Sequence, residues 1–191
     1  MIPWQFFTDS LSQGACSIIY NADMTKKIYF PREVLTISSV TAKFVNLLLS
    51  MIVVFGFITF SGIGFSYLLF LLPFAFIVEY AISLGFALFF AAITVYLRDI
   101  EYVVNVILMA WIWATPVMYA PEGLVQQYPW LESVLRINPL TSVMYLYRDI
   151  LYYHVLPARI DIIIPIVWGV ALLLIGETVF KHLEGNFAEE L

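Results

Sequence analysis

Two carboxylates lie inside long apolar stretches of this 191-residue sequence: Glu79 within 68–95, and Glu177 near the end of 162–180. Burying a carboxylate in an apolar medium is expensive, so an acid there is a functional suspect. Glu177 is three residues from the end of its stretch and can reach the interface. Glu79 lies deeper. We expect it to bond a serine or tyrosine hydroxyl on another helix, with proton or substrate handling as the alternative.

Other patterns that carry chemistry are missing. The sequence has no G-x-x-x-x-G-K-S/T phosphate loop, so any ATP hydrolysis would require a separate subunit. His154 and His182 have no ligand-forming residues at metal-binding spacing, and we predict no metal and no cofactor. No nucleophile elbow or carboxylate pair indicates an enzyme. The net charge of −5 argues against binding to nucleic acid.

The elements that would hold Glu79 and Glu177 are membrane helices. Hydrophobic residues make up 62% of the chain and charged residues 12%, with a mean hydropathy of +0.92. Each apolar stretch is near the ~20 residues that a helix needs to cross a ~30 Å hydrocarbon core. The runs are continuous rather than alternating, which favours helices over barrel strands. The sequence therefore predicts an all-α integral membrane protein, a polytopic bundle with four complete transmembrane helices at 44–60, 68–95, 103–119 and 162–180.

The first twenty residues combine an aromatic cluster at 3–7 with several polar residues. We interpret them as the second part of a longer helix whose polar stripe faces other helices or water, because polar groups facing lipid would be unsatisfied. The alternative is an amphipathic helix at the membrane interface. The polar residues are Gln5, Asp9, Ser10, Ser12, Gln13 and Ser17.

The basic residues predict the orientation. Six of them lie in the 21–43 loop, the 96–101 break and the tail after 180, against three on the opposite side. Cytoplasmic loops carry the excess of Lys and Arg, so the 21–43 loop and the C-terminus are expected in the cytoplasm.

The outer segment 120–161 contains two candidate short helices, 124–135 and 139–153. Asn138 is placed to cap the second and Pro139 to occupy its first position. This helix would lie on the outer surface or re-enter the membrane where protein shields it from lipid.

Aromatic residues cluster near the outer interface between positions 111 and 153. They form either an ordinary headgroup belt or a ring that lines an exit path and stacks on sugar rings. The cluster comprises Trp111, Trp113, Tyr119, Tyr128, Trp130, Tyr145, Tyr147, Tyr152 and Tyr153.

Five motifs occur in order along nearly the whole chain: NADMTKKIYFPREVL at 21–35, YLRDI at 96–100, WATPVMY at 113–119, NPLT with YRD between 138 and 149, and FAEEL at 187–191. Together they resemble the permease subunit of ABC-2 type polysaccharide exporters, a family that moves O-antigen, teichoic acid and capsular glycans. Each motif alone would be a weak signal.

The resemblance implies a permease that forms a homodimer, binds two copies of a separate ABC ATPase, and carries lipid-linked polysaccharide across the inner membrane of a bacterium or archaeon. The alternatives are an ABC-2 exporter of drugs or small lipids, and a noncatalytic scaffold for glycan assembly. The family has an amphipathic helix and a first span before the 3–7 cluster, and both are missing here. We therefore expect a fragment, a misassigned start or a nonfunctional remnant.

The resemblance also implies two sites. The loop after the family's second span would couple to the ATPase through Asn21, Met24, Lys26, Lys27, Tyr29, Phe30, Pro31, Arg32 and Glu33. A plain positively charged loop explains the lysines but not Tyr29-Phe30-Pro31. The channel or gate would include Trp111, Trp113, Tyr119, Tyr145, Tyr147 and Arg148.

The expected organisation is one transmembrane domain over 1–191. Its segments are a partial second span at 1–20, the coupling loop at 21–43, three spans within 44–119, outer gate helices at 120–161, the last span at 162–180 and a cytoplasmic tail at 181–191.

Overall fold

The computed structural model describes residues 1–22, 31–61, 64, 66–119 and 121–187. Over these residues the secondary structure is helical, with no strand. Three helices are long and apolar enough to cross a membrane: Glu33–Phe60, Tyr67–Tyr96 and Arg159–Asn186. The predicted class, an all-α polytopic membrane protein, is confirmed.

The described elements follow one another as eight α-helices with short turns of other pitch. The 3-10 turn Tyr67–Leu71 leads into α3, the wider π-helical turn Asp149–Tyr153 continues α7, and the 3-10 turn Glu184–Asn186 ends α8. The helices are α1 Ile2–Tyr20, α2 Glu33–Phe60, α3 Leu72–Tyr96, α4 Ile100–Ala114, α5 Glu122–Gln127, α6 Trp130–Ile137, α7 Pro139–Arg148 and α8 Arg159–Leu183.

Helix α2 begins eleven residues before the apolar stretch that predicted it, so the loop expected to reach residue 43 ends at Arg32. Its first turns are rich in hydroxyl side chains, which hydropathy does not register as helical. These hydroxyls donate to backbone carbonyls of the preceding turn, as Ser39 does to Leu35 (3.0 Å) and Thr41 to Ile37 (2.7 Å). The 28-residue helix is therefore about 42 Å long, more than the hydrocarbon core requires.

Helix α4 is shorter than its predicted stretch, 103–119, because it ends at Ala114. Thr115 has an extended backbone (φ −113°, ψ 130°), the conformation that a following proline imposes, and Pro116 is that proline. With 15 residues α4 spans about 22 Å. The prediction that this span continues to Tyr119 was wrong: residues 115–119 form turns.

The outer segment contains one more helix than predicted. A single helix was expected over 124–135, but α5 and α6 are separated at Tyr128 and Pro129. Proline has no amide hydrogen to donate and so interrupts the helical bonding pattern. Helix α7 begins as predicted, with the Leu140 amide donating to the side-chain oxygen of Asn138 (3.1 Å). The helical path continues to Tyr153 and ends at His154, whose φ is +53°.

Helix α3 is the centre of the bundle and packs against α8, α1 and α2. A β-carbon on Gly85 would lie 2.5 Å from the carbonyl carbon of Leu172 in α8, and one on Gly176 would overlap the Gly85 carbonyl oxygen. One on Gly14 would lie 2.6 Å from the β-carbon of Ala87. Small residues thus let the helices approach closely, as in many membrane bundles.

Helix α1 is buried along one side against α3 and α2. Phe7 and Leu11 are almost fully covered and belong to the main apolar core. This placement favours a bundle helix over an interfacial one.

We expect Gly176→Leu to destabilise the bundle strongly, because the new side chain would meet the α3 backbone, and overpacking typically costs about 1–3 kcal/mol or more. Gly56→Leu is the matched control, because a β-carbon there has no neighbour within 4 Å. The measurement is the thermal unfolding midpoint in detergent. Equal midpoints for the two variants would contradict the close packing of α3 and α8.

Candidate functional site

One end of the bundle, here called the loop end, holds the termini of α1, α3 and α8 and the first residues of α2 and α4. Of the predicted coupling residues, Asn21 follows α1 and donates to the Ser17 carbonyl (2.8 Å). Pro31 is exposed, and Arg32 and Glu33 lead into α2. Met24, Lys26, Lys27, Tyr29 and Phe30 lie outside the described residues.

Arg32 contacts the chain's tail, a link that the sequence did not predict. Its guanidinium donates to the Glu184 carbonyl and lies 5.7 Å from the centroid of the Phe187 ring. The FAEEL motif was the available signal, but a motif alone does not say what it touches.

A polar stripe follows the side of α1 that is turned away from the core. Its positions recur at helical spacing, and two of its residues reach α4. Ser12 donates to Asn105 (3.0 Å) and the Tyr20 hydroxyl donates to Glu101 (2.9 Å). We define the polar stripe as Gln5, Asp9, Ser12, Gln13 and Tyr20 of α1 with Glu101 and Asn105 of α4.

The stripe extends along the bundle because α1 runs toward the loop end and α4 runs away from it. Near the opposite end Gln5 donates to Asp9 (2.8 Å). Gln5, Gln13 and Tyr20 are exposed, and the other members are partly covered. Polar groups of this kind are poorly matched to lipid, so the face suits water or another protein surface. This agrees with the predicted polar-lined helix for four of its six polar residues. Ser10 and Ser17, also expected on the stripe, are buried, and the Ser17 hydroxyl bonds the Thr36 hydroxyl of α2 (2.8 Å).

Glu79 connects the central helix to the short helix α7. Its carboxylate is fully buried and accepts a hydrogen bond from the Tyr147 hydroxyl (2.5 Å), which is the expected tyrosine partner on another helix. Within the described part of the chain, its second oxygen has no partner. Glu177 is half-exposed and pairs with Lys181 one turn later, as its position near the interface predicted.

Arg148 holds the turn after α4 against α7. Its guanidinium donates to the carbonyls of Val117 (3.3 Å) and Tyr119 (3.0 Å). Asn138 adds a bond to the Thr115 hydroxyl (2.7 Å). Two of the predicted gate residues, Tyr119 and Arg148, therefore meet in one hydrogen-bonded assembly.

A second polar link anchors the outer helices to α8. Arg136 of α6 forms an ion pair with Asp161 (2.6 Å), and Ser142 of α7 donates to the same carboxylate (3.1 Å). Sequence reasoning missed this link, because charges 25 residues apart on separate elements give no local pattern. Nearby, burial and the Asp161 carboxylate raise the pKa of Asp149 above its usual range.

The predicted gate aromatics do not share one surface of the chain. Trp111 packs edge-on against Phe7 and Phe86, with ring centroids 5.7 Å apart in both pairs. Tyr147 is also internal, whereas Trp113 is 72% exposed. Tyr145 is half-buried. A substrate path through these residues stays a prediction.

We expect Tyr147→Phe to lower stability by about 1–3 kcal/mol, because it leaves a buried carboxyl group without its donor. Tyr152→Phe removes the same hydroxyl from a side chain that is 63% exposed, and should change little. Unfolding midpoints in detergent measure the difference. If both variants unfold like the unmodified protein, the Glu79–Tyr147 bond does not hold α7.

Comparison with known proteins agrees with the helical architecture. Residues 17–152, most of the chain, match the ABC-2 type transporter family. The chain is 29% identical, over its whole length and 73% of the relative, to an O-antigen export system permease protein, RfbA, of Myxococcus xanthus. A protein of the same name from Klebsiella pneumoniae is also 29% identical over the same shares. The chain belongs to the ABC-2 type transporter family.

Proposed function

We propose that this chain is the permease subunit of an ATP-driven exporter that moves a lipid-linked polysaccharide of the O-antigen, teichoic acid or capsule type out of the cytoplasm. Family membership and the printed names of the relatives support this function. The structural observation that carries it is the polar stripe, which follows α1 and α4 along a bundle that is otherwise strongly apolar.

The stripe suits a carbohydrate. Amide, hydroxyl and carboxylate groups hydrogen-bond sugar hydroxyls as donors and acceptors. A hydrophilic polymer needs such groups to replace the water that it leaves, whereas a hydrophobic drug does not. The stripe therefore favours a polysaccharide over the drug-exporter alternative.

A homodimer would complete the channel wall. In one protomer the stripe is open on the side away from the core, so a second copy facing it would enclose a polar path between two apolar bundles. Isologous contact between identical faces is the commonest arrangement of soluble homo-oligomers. The outer helices α5–α7, with Trp113, Tyr119 and Arg148, would then border the exit of this path.

Energy would come from a separate ABC ATPase in two copies, docked at the cytoplasmic loop end. The 21–33 segment is the proposed contact, with Lys26 and Lys27 supplying charge and Tyr29 and Phe30 an apolar anchor. The segment connects α1 directly to the long helix α2 through Arg32. A displacement of the loop would therefore act on two helices at once.

The docking proposal predicts that Tyr29→Asp with Phe30→Asp abolishes both ATPase co-purification and ATP-dependent glycan export. Tyr128→Asp, at the opposite end of the bundle, is the control and should retain ATPase binding. Membrane abundance and the sidedness of a C-terminal tag are measured in parallel. Unchanged export in the double variant would refute the docking role of the 21–33 segment and favour the alternative, a positively charged cytoplasmic loop with no docking function.

The channel proposal predicts that Gln5→Leu with Gln13→Leu lowers export roughly tenfold or more, since each lost hydrogen bond is worth about 1 kcal/mol. ATPase binding and protein abundance should not change. Asn46→Leu makes a comparable amide-to-leucine change at an exposed position of α2 that is not part of the polar stripe, and is the control. Export equal to that of the control would show that the stripe does not line the path.

A further inference from the structure

The tail of the chain lies at the loop end of the bundle. After α8 the helical path continues through the 3-10 turn Glu184–Asn186 to Phe187, which is fully buried. Its ring packs edge-on against Phe180 (5.6 Å, 87°) and against Tyr96 of α3 (6.1 Å, 64°). Edge-on aromatic pairs of this kind add stability beyond the burial of their area.

A hydrogen bond fastens the end of α8 to the end of α3. The Tyr96 hydroxyl donates to the carbonyl of Leu183, the last residue of α8 (2.9 Å). The tail, α8 and α3 are thus joined at the loop end.

The α2 end of the 21–32 loop contacts this tail, and the last turns of α1 lie in the same apolar cluster. On the α2 side, Arg32 donates to the Glu184 carbonyl, and its guanidinium lies 5.7 Å from the centroid of the Phe187 ring, within the range of a cation–π interaction. On the α1 side, the fully buried Ile18 belongs to the same apolar cluster as Phe180 and Phe187.

We infer that Arg32 and Phe187 are positioning residues that transmit displacement of the coupling loop to the last span, α8, and to the central helix, α3. This inference rests on the proposed function, because it assumes that conformational change in the ATPase displaces the loop. The loop is covalently joined only to α1 and α2. Through the Arg32–Phe187 contact, displacement of the loop would also move α8 and α3. Helix α3 packs along most of the bundle.

The contact depends on two separable properties, the positive charge of Arg32 and the ring face of Phe187. Arg32→Gln removes the charge, and Phe187→Leu removes the ring but keeps an apolar side chain. Arg32→Lys and Phe187→Tyr keep the charge and the ring face. If the contact transmits motion, the effect of each variant depends on whether it keeps the charge and the ring face. If the contact only fills space, the effect depends on the apolar volume of the side chain.

The test reconstitutes the full-length permease with its ATPase in membranes and measures glycan exported per ATP hydrolysed. Arg32→Gln and Phe187→Leu should each lower this ratio roughly fivefold, as expected for the loss of one cation–π contact. ATPase binding and hydrolysis should persist in Phe187→Leu, because Phe187 lies outside the proposed docking segment. Arg32→Lys and Phe187→Tyr should restore the ratio. Lys181→Gln, which removes another positive charge at the loop end, is the control and should leave the ratio unchanged.

A cross-link tests the same contact by restoring it. With the buried Cys16 replaced by Ala, Arg32→Cys combined with Phe187→Cys should show the low ratio. A short bismaleimide that joins the two thiols should then raise it.

Three results would overturn the inference. The ratio could stay at the level of the unmodified protein in Arg32→Gln and Phe187→Leu, with export falling only in proportion to protein or complex yield. The cross-link could fail to raise the ratio. The unmodified permease could fail to bind an ATPase or to export glycan. That result would refute the proposed function as well, and it differs from the other two because it is seen without any variant.

Discussion

The close approach of α3 to α8 and α1 governs the arrangement of the whole bundle. Where Gly85 meets Leu172 and Gly176, the two helices leave no room for a β-carbon, and Gly14 against Ala87 makes a similar contact with α1. Lipid is as apolar as the side chains, so burial of apolar surface gives little drive for helix association in a membrane. Close packing of small residues supplies it instead.

That central contact determines where the polar groups can lie. With one side of α1 packed on α3, its Gln5, Asp9 and Gln13 side is directed away from the core, beside α4. Glu79, on the central helix, is enclosed completely and needs a donor from outside its own helix. Tyr147 supplies one, and so the short helix α7 is bonded to the middle of the protein rather than resting on its surface.

The two ends of the bundle are held by different interactions. At the outer end, hydrogen bonds and an ion pair attach short helices, as Arg148 does with the turn after α4 and Arg136 with Asp161. At the loop end the attachment is mainly aromatic, around Phe187. Polar links with directional geometry suit elements too short to bury much apolar surface, since helices of this length are marginal alone. The loop end instead closes around two buried rings, those of Phe180 and Phe187.

Hydropathy, capping and motif order are local properties of the chain, so the all-α membrane class, the cap at Asn138 and the family motifs could be predicted from the residues alone. Pro116 and Pro129 carried further local information, the end of α4 and the break between α5 and α6, that hydropathy did not reveal. The start of α2 was predicted too late in the chain because its first turns are rich in hydroxyl side chains. Hydropathy measures preference for lipid and not helix formation. The packing of the helices, in contrast, brings together three pairs that no prediction had joined as such: Glu79 with Tyr147, Arg136 with Asp161, and Arg32 with Phe187. These partners are separated by 25 to more than 150 residues, and their meeting depends on how the helices cross, which no local pattern specifies.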